Sequence, residues 1–580
     1  MASPSEQLRE AIMNEIHEWP PGEFRYFIPY STIENHVVRD SVLDILKHHL
    51  KDESDEDILH YTRLILSTSI KLFTIVLCAP NIKFPLLREL LKEGISDENL
   101  PLSRIETKPS SHNEYRLGKA GHHLCTKAAH EDCGIKSLLC LSKTGVKDLC
   151  GSQWPALAPV FKGVPDDIVH YDFEVGTILP YLEDWEGANL RAGGFGEVWK
   201  VRIHPAHQKL LCPSDPKGLL LAIKRLFPNG DYEKTFQLEV GMLKALNGYH
   251  HKHIVKLLAT YKFKERYHLL FPLASGNLRE HWDIIGMPFW NRSTYLWVLT
   301  QLKGLVSALN IIHNFETGLT SIKPDVPNAG TSYRSSFRGI NLRVEGEEAK
   351  FGRHGDIKPE NILWMKDSVD DPGSLMVADM GLGRFHRKES RSRVDPKTIN
   401  GSPTYAPPEV TLNKPVSRAY DIWSLGCVFA EFITWLLKGP DGLAKFGTRR
   451  LELAEDGIND DTFFSIRTSG LERLPKIRPG VLNWIRELEH DERCSAVIKE
   501  LLVVIEWHML CVEPGNRISA KDLEKSIKSM ICKATEDSTY LLGLKHSAAD
   551  DRQGIKMPTG LSDEVNGSEV PVIEVNYPST

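Results

Sequence analysis

The chain has 580 residues, enough for two or more domains that each bury a core of their own. Hydrophobic residues make up 41% and charged residues 26%, with a formal net charge of -6. That balance lacks the broad basic field that nucleic acid or an anionic membrane would require, so neither is an expected partner.

The opening MASPSEQLRE lacks the basic and then apolar run of a secretory signal. Ten cysteines scattered along the chain read as reduced intracellular thiols, which places the protein in the cytoplasm or nucleus. Ser3-Pro4-Ser5-Glu6 reads as a capping box with proline at the first helical position. Leu8, Ile12, Ile16 and Trp19 then recur on one helical face, which Pro20-Pro21 ends. Further helical patterns follow at 42–50 and 61–77. The most apolar run, 64–79, is short and carries Lys71 in its middle, as a buried helix does and a membrane span does not.

Residues 1–170 are therefore expected to form a mainly α-helical accessory domain. Within it His122, His123, Cys125, His130, Cys133, Cys140 and Cys150 cluster closely enough for four of them to hold zinc. The spacing does not fit a paired Cys-x-x-Cys framework, and Leu138-Leu139-Cys140-Leu141 has the pattern of buried packing, so ordinary structural cysteines are the competing reading. From about 181 the chain turns to short apolar runs split by glycine, and from about 290 to long helices. That order suits a small sheet-rich lobe followed by a helical lobe. Residues 534–580 are polar, poor in aromatics and rich in Ser, Asp, Gly and Pro, the composition of a disordered tail.

Phosphoryl transfer needs phosphates held, charge neutralised by metal and an acceptor hydroxyl aligned, and each need has candidates here. Leu190-Arg191-Ala192-Gly193-Gly194-Phe195-Gly196-Glu197-Val198 is a glycine-rich hairpin whose backbone N–H groups at Gly193, Gly194 and Gly196 can approach phosphate oxygens. Leu221-Ala222-Ile223-Lys224 is a buried strand carrying one lysine, which is costly without a partner. Glu239, on a helix expected over 232–246, is the candidate carboxylate. Within His354-Gly355-Asp356-Ile357-Lys358-Pro359-Glu360-Asn361, Asp356 fits the residue that orients the acceptor hydroxyl, Lys358 can steady the transferred phosphate and Asn361 can hold metal. Asp379, in Val377-Ala378-Asp379-Met380-Gly381, can bridge magnesium to the phosphates.

In this order the elements resemble the eukaryotic protein kinase family over residues 175–533. Gly401-Ser402-Pro403-Thr404-Tyr405-Ala406-Pro407-Pro408-Glu409 resembles the end of that family's activation segment, and Asp421-Ile422-Trp423-Ser424-Leu425-Gly426 the start of its long buried helix. The resemblance implies an α+β fold, a small antiparallel β-sheet lobe plus a helical lobe, preceded here by the helical N-terminal domain. It implies Mg-ATP as cofactor and phosphate donor, and protein substrates with Ser or Thr acceptors, the latter from Lys358. It also implies that Arg517 pairs with Glu409, that Leu190, Val198, Ala222, Phe271 and Leu363 enclose the adenine, and that Leu273 and Ala274 offer it backbone contacts. The Asp-Ile-Lys-Pro-Glu-Asn-Ile-Leu-Trp loop and the helical leader resemble kinase-domain proteins of filamentous fungi.

Arg191, Gly355, Met380 and Pro407 depart from the family pattern, while Lys224, Glu239, Asp356, Asn361 and Asp379 keep it. Gly355 stands where an arginine usually binds the phosphate of a phosphorylated activation loop, so activity without that phosphorylation is expected. A helix expected over 296–313 is followed late by the catalytic loop, which marks 317–350 as an insertion. The competing reading of the whole chain is a scaffold that keeps the kinase fold for partner binding.

Overall fold

The computed structural model describes residues 2–105, 116–119, 134–164, 167–185, 191–193, 196–211, 217–228, 232–314, 352–366, 368, 371–379, 403–453, 459–469 and 472–543. The chain divides into two compact units. One comprises Met1–Ser275, Ile311–Gly355 and Met376–Arg391, the other Gly276–Asn310, Asp356–Leu375 and Ser392–Thr580.

The first unit opens with helix Pro4–Met13, capped as expected: the Ser3 hydroxyl accepts the Glu6 N–H while the Glu6 carboxylate accepts the Ser3 N–H. The helix ends at Met13, well before the expected Pro20, and His17–Glu18 pairs with Tyr26–Phe27 as a short hairpin. Ile16 still packs on the helical core, but Trp19 belongs to a different one. The pattern at 61–77 is two helices, Asp55–Thr68 and Ile70–Cys78, bent by 105°. The bend has a local cause. Ser69 leaves helical geometry, and the Asp97 carboxylate accepts the N–H groups of Lys71 and Leu72 at 3.1 and 2.9 Å, capping the second helix.

The sheet of this unit runs, in spatial order, Val169–Asp172, Ala259–Phe263, Arg266–Pro272, Leu219–Leu226, Gly196–Ile203 and Tyr181–Asp184, with Arg191–Gly193 also on Gly196–Ile203. The expected antiparallel pattern holds except at one edge, where Val169–Asp172 adds in parallel. Its inner face, including Tyr171, Tyr181, Trp199, Ile223 and Tyr261, forms one core with Trp19 and Phe27 from the helical leader. Arg25 donates to the Gly176 carbonyl at 2.7 Å, and the Tyr30 N–H donates to His207 Nε2 at 2.9 Å. The leader is thus continuous with the sheet across the boundary expected near residue 170.

The second unit is built on Ala419–Arg450, a helix buried for most of its length and broken at Gly439-Pro440. Pro479–Glu489 packs against it, and the unit's other helices include Arg292–Asn314 for most of its length, Ala496–Val504 and Ala520–Glu536. Trp484 Nε1 donates to Thr434 Oγ1 and Trp435 Nε1 to the Trp282 carbonyl, so these two buried indoles have their N–H groups satisfied. Arg292–Asn314 and Ala419–Arg450 are long and apolar enough to span a membrane by length and composition, but their most apolar windows are 61% and 94% buried inside the protein. Order extends past the expected boundary at 534: Ala520–Glu536 is followed by Ser538–Leu542, whose Leu541 and Leu542 are buried because their side chains complete the core. Residues 544–580, the insertion at 317–350 and five of the seven candidate zinc ligands lie outside the described residues, while Cys140 and Cys150 are free thiols.

Candidate active site

Alternation along Leu219–Leu226 puts Ala222 and Lys224 on the same face, and cross-strand pairing aligns Val198 with Lys224 and Phe271 with Ala222. Val198, Ala222 and Phe271 are half-buried, an apolar lining beside a single lysine. Leu273 and Ala274 continue from the end of Arg266–Pro272, also half-buried. Gly193 pairs with Gly196 in the hairpin. A side chain at Gly196 would meet the Arg225 carbonyl at 2.4 Å, so the two strands approach there only because the residue is glycine. Leu190 and Gly194 lie outside the described residues.

Lys224 Nζ lies 2.8 Å from Glu239 Oε1 and 2.8 Å from Asp379 Oδ1. Glu239 comes from helix Tyr232–Asn247, close to the expected span. The Lys224 and Glu239 side chains are 9% and 7% exposed, whereas Asp379 is 43% exposed. Burial alone would lower the lysine's pKa, but the Asp379 and Glu239 carboxylates outweigh it and raise the pKa above the usual lysine value. Asp379 is held by its neighbours: Val377 exchanges backbone hydrogen bonds with His253 and Val255, and buried His354 Nε2 donates to the Ala378 carbonyl at 2.9 Å.

A second cluster follows in the other unit. Asn361 Nδ2 donates to both the Asp356 carbonyl and Asp356 Oδ2 at 2.9 Å, and Lys358 Nζ is 2.9 Å from the same Oδ2. The turn Pro359–Asn361 sets this geometry, closed by Asn361 N–H on the Lys358 carbonyl. With Nδ2 committed to Asp356, Oδ1 is the Asn361 atom suited to a cation. Leu363 is half-buried on Ile362–Met365. Arg517 grips Glu409 with both terminal nitrogens, at 2.7 and 2.8 Å, and both side chains are almost fully buried. A two-pronged guanidinium–carboxylate pair of this kind fixes orientation as well as charge.

Against known proteins, the family described as "Protein kinase domain" matches residues 350–526. Residues 350–526 are thus similar to a protein kinase domain. It is 25% identical over 391 residues to a probable receptor-like protein kinase of Arabidopsis thaliana, covering 64% of this chain and 48% of that protein. It is 30% identical over 259 residues to a serine/threonine-protein kinase of Saccharomyces cerevisiae, covering 43% of this chain and 33% of that protein. A cyclin-dependent kinase C-2 of Oryza sativa subsp. japonica is 29% identical over 182 residues, covering 29% and 31%. The chain thus spans about a third to a half of these relatives.

Kinase domains in general use ATP with magnesium, and the donors here fit such a metal. Magnesium takes hard oxygen ligands, one or two from carboxylates and the rest from phosphates and water. Taken separately, Asp379 in the first unit offers an accessible carboxylate, and Asn361 in the second an amide oxygen. Two features near the catalytic-loop motif were not visible in the sequence. Gly355 has φ 84°, a conformation that costs a residue with a side chain roughly 1–2 kcal/mol, so its place beside Asp356 has a backbone reason as well as a missing charge. The other is Arg279, on helix Leu278–Ile285, which reaches the catalytic loop through Glu360 at 3.2 Å.

Proposed function

We propose that this protein is an ATP-dependent serine/threonine protein kinase that transfers the γ-phosphate of Mg-ATP to protein hydroxyls. The observation that carries the reading is Lys224, a buried ammonium held between the Glu239 and Asp379 carboxylates. An isolated lysine there would be expensive to bury, and the pairing leaves it charged and fixed to bind phosphate oxygens. Magnesium, when bound, neutralises phosphate charge, and the motif positions of Asp379 and of Asn361 each mark a proposed ligand for it. Asp356, kept in place by Asn361, accepts or orients the acceptor's hydroxyl proton. Lys358, against the same carboxylate, steadies the transferred group. Gly193 and Gly196 present backbone amides to the phosphates, and the apolar lining at Val198, Ala222 and Phe271 buries the base.

Serine and threonine are the proposed acceptors because Lys358 stands two residues after Asp356, as in Ser/Thr kinases, and a relative bears that activity in its name. The proposed setting is the cytoplasm or nucleus, in keeping with free thiols at all seven described cysteines. Gly355 offers no guanidinium to a phosphorylated loop, so turnover does not require one. The test is labelled phosphate transfer to matched Ser, Thr and Tyr peptide libraries, with Ser390→Ala/Ser392→Ala/Thr398→Ala alongside. Transfer to Ser and Thr that survives the triple substitution is expected. Transfer to Tyr alone, or near-total loss in the triple variant, contradicts the corresponding part.

A further inference from the structure

We propose that Arg279 is a positioning residue for phosphate transfer, anchoring Glu360, and with it the turn that carries Asn361 and locks Asp356, to the buried Glu431–Tyr405 pair. The inference rests on the kinase reading and adds a residue to it.

Arg279 is well placed to anchor because its own backbone is fixed. Asn277 Oδ1 accepts the Arg279 and Glu280 N–H groups at 2.9 and 3.2 Å, and Glu280 returns a bond to the Asn277 N–H at 2.8 Å. Gly276–Asn277 in turn pairs with Trp364 and Leu363, on the strand that leaves the catalytic loop. From this base the guanidinium stacks 5.5 Å from the Trp282 ring, and Nε reaches Glu360 Oε1 at 3.2 Å. Its Nη2 donates to the Tyr405 hydroxyl and lies 3.4 Å from Glu431 Oε2.

The far end is rigid. Tyr405 donates to Glu431 Oε2 at 2.9 Å, and Arg450 Nη2 donates to Glu431 Oε1 at 3.0 Å. Glu431 and Arg450 are 3% and 4% exposed. Glu431 therefore keeps a full charge partner in Arg450 when Arg279 is removed. Glu360, 37% exposed and immediately before Asn361, loses its guanidinium contact. A planar fork suits this task because it reaches two carboxylates and a phenol from one position, which a point charge cannot. The Arg279 pKa is raised: burial acts to lower it, and Glu431, Tyr405 and Glu360 override that.

The decisive experiment measures wild type, Arg279→Met, Arg279→Lys, Glu360→Gln and the Arg279→Met/Glu360→Gln double variant for kcat, KM of ATP and the magnesium concentration giving half-maximal rate. Misplacement of the loop by about an ångström lowers kcat by roughly 10–100-fold. The expected pattern is that loss in Arg279→Met, with KM of ATP within about twofold and a higher magnesium requirement through Asn361. Arg279→Lys recovers part of the rate. The double variant is no slower than the worse single one, because both changes break the same link. Should Arg279→Met fail to fold, Glu360→Gln, altered at a half-exposed side chain, carries the same kcat and magnesium expectations. Wild-type kcat in folded Arg279→Met or in Glu360→Gln overturns the inference, as do multiplicative losses in the double variant. An inactive wild type overturns the kinase reading and the inference together, which distinguishes it from an active wild type with indifferent variants.

Discussion

Lys224→Met is expected to lower phosphate transfer by about two orders of magnitude or more and to destabilise the first unit. The two effects have different origins. Transfer falls because the ammonium that holds phosphate oxygens is gone. Stability falls because the Glu239 carboxylate, 7% exposed, is left in the interior without the cation it faces at 2.8 Å. Breaking a buried ion pair costs about 3–5 kcal/mol, and the partial exposure of Asp379, the second carboxylate, argues for the lower end. Lys224→Met/Glu239→Leu separates the effects, since replacing both members of a buried pair by apolar side chains is often neutral. The double variant should recover most of the thermal midpoint while remaining inactive. Wild-type transfer in Lys224→Met, or inactivity cured by the second substitution, contradicts the role given to Lys224.

A second large effect is acid instability of the sheet unit. Burial pushes His207 and His268 down to about 3 and His170 down to about 4. His207 shows why at the atomic level: Nε2 accepts the Tyr30 N–H, and Nδ1 donates to the Pro159 carbonyl at 2.9 Å, so a second ring proton would face a donor. The folded pKa values lie below the ordinary histidine value of about 6.5. As pH falls through that value, the unfolded chain takes up protons that the folded chain refuses, and stability is lost from about pH 6.5 down to the folded values. At pH 5 each group contributes a loss on the order of 2 kcal/mol. Three together rival the whole stability of a typical domain, about 5–15 kcal/mol. The thermal midpoint should therefore drop steeply between pH 6.5 and 5, and less steeply in His207→Gln, which removes one titrating ring. A midpoint flat across that range contradicts the burial argument.

The candidate site was legible where local sequence determines local geometry. Lys224 on a short apolar strand, Glu239 on an amphipathic helix and the run from Asp356 to Asn361 each sit as their residue types require, and Arg517 meets Glu409 as the family resemblance implies. What was not legible depends on partners distant in sequence. Trp19 fits the periodicity of the first helix, yet it packs on Tyr181 with ring centroids 5.6 Å apart, because the helix ends early and the hairpin turns toward the sheet. The break at Ser69 comes from the capping Asp97, 28 residues later in the chain. Arg279 carries no motif; only the fold brings it to Glu360, Tyr405 and Glu431.

The measurement that bears most directly on the central claim is transfer of labelled γ-phosphate from ATP to a mixed Ser/Thr peptide library, with and without magnesium, for wild type and Asp379→Asn. The substitution preserves shape at a side chain 43% exposed, so folding is retained while the metal's carboxylate is removed. Magnesium-dependent transfer by wild type, reduced by about two orders of magnitude or more in the variant, is the predicted result. Absence of magnesium-dependent transfer by wild type, or undiminished transfer by Asp379→Asn, would contradict the account.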